Sequence, residues 1–243
     1  MPDRRLHRGP HPEDGKLFAD AQLPSLRDAT ADLSWLYSRG YASTSALKIV
    51  GDRYSLEGRQ RVAVARCACS DQAKRRRQAS QVSVGEIKDL DLWIDGFNVL
   101  TSVEAALSDG VILHGRDGCY RDLASMHGTY RTVEETVPAI RLVGELLTES
   151  QVAKCHWLLD QPVSNSGRLK QMLQEIATQE SWNWQAEVVA DPDPVLSTTD
   201  RIVVTADSSI LDEVEHWTNI ARFAIDKRIK NAWILDSSSC AIW

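Results

Sequence analysis

Three apolar runs in the second half of the chain end alike. Leu92-Trp93-Ile94 runs into Asp95, HWLLD into Asp160 and RIVVTAD into Asp207. Short runs of this kind read as buried strands. Two more, at 187–190 and 233–235, bring the predicted strands to five, with 155–159 and 202–205 as the second and fourth. Helical stripes separate them. Ser208 opens one that carries Ile210, Leu211, Val214, Trp217 and Ala221, and Ser166 opens one with Leu169, Met172, Leu173 and Ile176. A third starts at Thr132, where Glu135 completes a capping-box spelling, although Pro138 conflicts with its interior. Alternating strands and helices predict an α/β fold on a parallel sheet. All strand ends of such a sheet share one edge, where ligands bind. The pattern therefore predicts three convergent carboxylates.

Carboxylates gathered in a partly buried cleft repel one another, and desolvation adds to the cost. A cation relieves both. An all-oxygen set of this kind suits Mg²⁺ or Mn²⁺, and such an ion can activate water for in-line displacement at phosphorus. Asp95, Asp160 and Asp207 are the predicted catalytic metal ligands. Asp212, one turn into the Ser208 helix, is either a further ligand or a partner of the helix dipole. Gly96 and Asn98 follow Asp95 in a predicted turn. Ser164, Ser166 and the adjoining helix N-terminus offer a phosphate cradle, with simple capping by Ser166 as the plainer role; Ser208 stands in a similar place after Asp207. Residues 101–131 are too many for a plain loop. SDG at 108–110 and GRDG at 115–118 predict a hairpin around Val111-Ile112-Leu113. This stretch also holds Glu104, Asp117 and Asp122, each either a surface acid or a functional one.

The first half of the chain differs. Residues 1–24 read as a disordered leader, polar and without the apolar core of a secretory signal. Residues 25–77 read as a small helical module of helix-turn-helix outline, 78–90 as a linker, and 91–243 as the α/β domain. Between Arg53 and Arg77 eight Lys or Arg face Glu57 and Asp71, so this segment is +6 in a chain of net charge −6. That asymmetry predicts a polyanion partner, with Arg59, Arg61, Arg66, Lys74, Arg75, Arg76 and Arg77 as the nucleic-acid-binding residues. Five scattered cysteines with no Cys-x-x-Cys pair argue for reduced thiols in a cytoplasm. No apolar run is long enough for a membrane span, and self-association into a homo-oligomer stays open.

Two resemblances add to this reading. From about Leu26 to Arg222 the chain resembles a prokaryotic family known as domain of unknown function 434, at RGYASTSALKIVGDRY, IDGFNVLTSVEAALS, RDGCYRD, LLDQPVSNSG and TADSSILD. Residues 91–100 and TAD at 205–207 resemble motifs of the NYN branch of PIN-like nucleases. That second resemblance implies a three-layer, Rossmann-like PIN fold, a Mg²⁺ or Mn²⁺ site and RNA cleavage. It implies Asp95 as a ligand, Asn98 as its orienter and Asp207 as a second acid. It also implies an acid on a helix after the first strand, for which Glu104 and Asp122 are the candidates.

The sequence thus points to a metal-dependent nuclease, on RNA rather than DNA. The alternative is a non-catalytic nucleic-acid-binding protein with a structural or degenerate acidic cluster. A haloacid-dehalogenase-type phosphohydrolase would need Asp-x-Asp where Asp95 is followed by Gly-Phe. No phosphate-loop or nucleophile-elbow spelling occurs.

Overall fold

A computed structural model describes residues 6–123 and 130–237; Cys240 and the first five residues lie outside these. A short helix, α1 (Asp14–Leu17), precedes α2 (Leu23–Ser38), α3 (Ser43–Arg53), α4 (Gly58–Cys67) and α5 (Asp71–Ser80). Strand β1 (Asp91–Asp95) runs directly into α6 (Gly96–Leu107), and β2 (Ile112–His114) and β3 (Tyr120–Asp122) form the predicted hairpin. Then come α7 (Thr136–Glu149), β4 (Lys154–Asp160), α8 (Ser166–Gln179), β5 (Trp184–Val189), α9 (Pro192–Ser197) and β6 (Ile202–Val204). The described chain closes with α10 (Ser208–Leu211), β7 (Trp217–Thr218), α11 (Ile220–Arg228) and β8 (Ile234–Asp236).

Five strands make one parallel sheet in the order β5-β4-β1-β6-β7. The chain grows from β1 outward to β4 and β5, then crosses back to the other side of β1 as β6. The topology therefore switches at β1, the place where open α/β sheets form their crevice. Alternate residues of β1 enter different cores, as the strand pleat requires. Leu92 and Ile94 join Leu100 of α6, Val143 of α7 and Leu173 of α8. Trp93 packs on the opposite side, against the cluster of Val203, Leu211 and Trp217. Helices thus cover both faces of a central sheet, a three-layer α/β architecture. Glycine at 96 is dictated by packing. A Cβ there would lie 2.9 Å from the Leu158 carbonyl oxygen and 2.6 Å from Leu159 Cδ2, so only glycine lets α6 start hard against β4.

Several expectations are corrected. The stretch after Asp95 is the first turn of a twelve-residue helix and not a loop. Helix α7 begins at Thr136, four residues later than predicted, and this removes the conflict at Pro138: the proline falls in the first turn, where its missing N–H has no intrahelical partner to lose. Trp217 lies in a strand, because the Ser208 helix ends at Leu211 and a new one, capped by the Asn219 side chain, starts at Ile220. The strand predicted at 233–235 belongs to a second, three-stranded sheet, β3-β2-β8. The described part of the leader is ordered: Phe18 is buried, and buried Asp14 pairs with Arg59. The helical module is no free-standing unit either. Leu26, Leu33 and Val64 share one core with Val111, Leu113 and Leu235 of the second sheet and its flanks. Among the described residues no helix is long and apolar enough to cross a membrane.

Candidate active site at the sheet edge

Asp95 ends β1 and caps α6, its Oδ1 accepting the Asn98 backbone N–H at 3.4 Å. Its Oδ2 accepts the buried Thr205 hydroxyl at 2.8 Å, and Thr205 Oγ1 in turn accepts the Asp207 N–H at 3.0 Å. Asn98 Oδ1 accepts the Ala206 N–H at 2.8 Å. The Asp-Gly-x-Asn of β1 and the Thr-Ala-Asp after β6 are thus stitched into one unit by three side chains. The Asn98 side chain holds the neighbouring loop through Ala206, and its backbone N–H is what touches the Asp95 carboxylate.

Asp95, Asp160 and Asp207 line one cleft of about 430 Å³ at this edge, together with Asp193 of α9. The three strand-end acids therefore share one edge and one cleft, without the closeness a shared cation needs among the described residues. Asp193 is an addition that the sequence reading missed. The signal existed: the strand predicted at 187–190 is followed by Asp191-Pro192-Asp193, the same strand-then-acid pattern as the other three. Among the described residues, no cation forms an ion pair with Asp95, Asp160, Asp193 or Asp207. Burial pushes Asp95 up to about 7, against the Thr205 bond and with Asp207 adding to the rise. Burial also raises Asp160, helped by Asp191, and raises Asp193, helped by Asp207, Asp191 and Asp160.

The donor set fits a hard divalent ion in chemistry, being all carboxylate oxygen. Its spacing is open. Among the described residues no three His, Cys, Asp or Glu stand close enough together to form a ready metal centre. Register explains part of this. Asp95 is level with Leu158, so Asp160 projects two residues further, roughly 7 Å along the strand.

The other predicted residues sort cleanly. Asp122 and Ser208 line the cleft, Asp122 accepting from Thr101 Oγ1 at 3.1 Å and Ser102 Oγ at 3.3 Å. Glu104 does not: it lies roughly 120° round α6 from Asn98. There it is sealed under Arg8 Nε and the Tyr130 hydroxyl, both at 2.5 Å, and Thr136 Oγ1 at 2.6 Å. Asp212 is turned to Arg77, whose Nε donates to it at 2.8 Å, and is outside the cleft lining. Ser164 is exposed and also outside it. Ser166 is buried and donates to the Asp160 and Val163 carbonyls, so it braces the loop and neither cradles phosphate nor caps α8; the capping position is Asn165, at φ +70°.

The basic set divides in the same way. Arg77 is buried and holds Asp117 and Asp212, so it belongs to the fold. Arg59 pairs with buried Asp14, and Arg61 with the Leu56 carbonyl and Asp52. Arg75 and Arg76 are exposed, Lys74 is half-buried, and Arg76 donates to the Glu213 carbonyl at 3.1 Å. Arg66 alone of the seven lines the cleft.

Residues 25–79 match a family described as a protein of unknown function, DUF434. That match is shorter than the resemblance read over residues 26–222, because residues 84–223 match a different family, the domain of unknown function DUF5616. No matching family carries the PIN-like resemblance. An uncharacterized protein of Methanocaldococcus jannaschii is 30% identical over 204 residues, which are 83% of this chain and 97% of the relative. No solved structure matches the chain. With more than half its length inside the DUF5616 match, the chain belongs to that family.

Proposed function

We propose that this protein is a divalent-metal-dependent nuclease that hydrolyses phosphodiester bonds in RNA. The observation that supports it is a cleft lined by five carboxylates at the topological switch of a parallel sheet, four of which, Asp95, Asp160, Asp193 and Asp207, have no cation paired to them among the described residues. Asp95, Asp160 and Asp207, with Asp193, would hold Mg²⁺ or Mn²⁺. A divalent ion on such ligands supplies an acidified water and Lewis acidity toward the scissile phosphate. Asp95 is the fixed member: Thr205 and the α6 N-terminus hold both its oxygens, while burial and Asp207 oppose its charge. It needs a positive partner more than any other acid of the cleft. RNA as the substrate class follows the PIN-like resemblance of Asp95-Gly96-Phe97-Asn98 and Thr205-Ala206-Asp207. A cytoplasmic setting belongs to the same proposal and suits four buried, unpaired thiols, Cys67, Cys69, Cys119 and Cys155.

The test is cleavage of labelled single-stranded RNA by the wild type, Asp95→Asn and Asp207→Asn, alongside thermal unfolding with and without Mn²⁺. We expect cleavage only with a divalent ion, a loss on the order of 1,000-fold in either variant, and Mn²⁺ stabilisation of the wild type alone. A wild type that binds RNA but shows neither cleavage nor Mn²⁺ stabilisation would instead be a non-catalytic nucleic-acid-binding protein.

A further inference from the structure

A phosphodiester approaching the five carboxylates of the cleft, four of them without a cation among the described residues, is repelled, so a nuclease site of this kind needs a cation aimed at the substrate. Two guanidiniums line the cleft, Arg66 and Arg121. Arg121 has nothing left to give. Its Nε–H donates to the Ala206 carbonyl at 2.8 Å. Its Nη1 donates to the Arg66 carbonyl at 3.2 Å and Asp117 Oδ1 at 3.0 Å, and its Nη2 to Asp117 Oδ2 at 2.6 Å and Ser208 Oγ at 3.4 Å. All five donors of a guanidinium are then committed.

Arg66 is the opposite case. It sits near the end of α4, in the helical module, and its side chain is 38% exposed. One nitrogen, Nη1, donates to the Asp122 carbonyl at 2.5 Å and lies 3.7 Å from Asp122 Oδ1. Among the described residues Nε and Nη2 donate to nothing. Those two atoms form the edge that pairs bidentately with phosphate. Anchoring through Nη1 fixes the guanidinium while leaving that edge open.

We propose that Arg66 binds non-bridging oxygens of the substrate phosphodiester through its Nε/Nη2 edge, so that the helical module completes the site of the α/β domain. This rests on the nuclease reading and gives its substrate a docking point. It also changes the role of the module from an independent nucleic-acid binder to the wall of the cleft that carries the positive charge.

The test compares wild type, Arg66→Ala and Arg66→Lys by anisotropy of a labelled oligouridylate without divalent ion, by Mn²⁺-dependent cleavage kinetics and by thermal unfolding. Loss of a charged bidentate contact raises Kd and KM by about ten- to a hundredfold, with a smaller change in kcat. The log–log salt slope of binding falls by about 0.7. Arg66→Lys keeps a donor for the Asp122 carbonyl but lacks the fork, so we expect it to restore the melting temperature and not the affinity. A wild type that cleaves, with Arg66→Ala cleaving and binding as well as it does, overturns the proposal and leaves the nuclease reading standing. Arg66→Lys restoring stability and affinity together overturns it too, since that is the signature of a purely structural arginine. If the wild type does not cleave, the nuclease reading fails separately: Arg66-dependent oligonucleotide binding then still supports the anion contact, and Arg66-independent binding removes it.

Discussion

Asp95 and Asp117 are almost equally buried, 7% and 4% exposed, and the protein treats them in opposite ways. Asp117 lies between two guanidiniums. Arg77 Nη1 reaches it at 2.5 Å, Arg121 grips both its oxygens, and the Cys119 N–H adds a bond at 3.1 Å. Burial pushes Asp117 up, but the two arginines outweigh it and hold the carboxyl well below the usual range. Among the described residues Asp95 receives only a hydroxyl and a backbone N–H, and burial lifts it to about 7. Cations are not scarce at this edge, since Arg121 lines the same cleft and is committed to Asp117. The difference separates a carboxylate neutralised by the fold from one that no cation among the described residues neutralises. It also orders the substitutions that would break or sharpen it.

The largest stability effect is expected at Asp117. Asp117→Asn leaves Arg77 and Arg121 buried with their shared counter-charge removed, and breaking a buried pair from one side typically costs about 3–5 kcal/mol. Urea denaturation at pH 7 measures it. A loss below about 1 kcal/mol would mean that Asp117 is not held by charge, and the contrast with Asp95 would lapse.

At Asp95 the sign reverses. An acid raised from 3.8 to about 7 on folding makes the native state bind a proton over that interval. Stability from this group is therefore fully present below about pH 4 and is lost as the pH rises through 7. Asn mimics the neutral form. Asp95→Asn should then match the wild type near pH 4 and exceed it at pH 8, by about 4 kcal/mol as an upper bound on a three-unit shift. Mn²⁺ should narrow the gap at pH 8 by stabilising the wild type. An Asp95→Asn protein that melts lower than wild type at pH 8 without metal would place Asp95 in the same class as Asp117.

The same comparison shows what the sequence reveals and what it hides. Strand ends were legible because apolar runs stop at Asp95, Asp160 and Asp207, and a parallel sheet sends all such ends to one edge. Charge pairing was not legible, because it joins residues far apart in the chain: Arg77 reaches Asp117 and Asp212, 40 and 135 positions away. A basic run in sequence thus looked uniform, while the fold buries Arg77, commits Arg59 and Arg61, and leaves Arg66 facing the cleft. Glu104 misled for a related reason. The PIN-like resemblance asks for an acid on a helix after the first strand, but the direction of Glu104 depends on recognising α6, and Gly96 and Asn98 read as a turn. Helix α5 was hidden by polarity. Its residues are mostly exposed, so no apolar stripe marked it. Asp193 was overlooked although Asp-Pro-Asp follows a predicted strand.

The smallest effect, and the finest test of the comparison, is at Thr205. Its hydroxyl supplies Asp95 with its one side-chain bond among the described residues, where Asp117 has two arginines. Thr205→Val keeps the shape but removes that donor, and it also removes the acceptor of the Asp207 N–H. A bond to a charged acceptor is worth about 1.5–3 kcal/mol and one to a neutral group about 1. The variant should therefore lose about 1 kcal/mol near pH 4, where Asp95 is protonated, and somewhat more at pH 8. Because the Thr205 bond lowers the Asp95 pKa, its loss should move that pKa further above 7. Metal ligands must be deprotonated to bind. Stabilisation by Mn²⁺, followed as a melting shift against pH, should then set in at higher pH in Thr205→Val than in the wild type. If the onset does not move, the hydroxyl is only filling space, and Asp95 owes its protonation behaviour to burial and Asp207 alone.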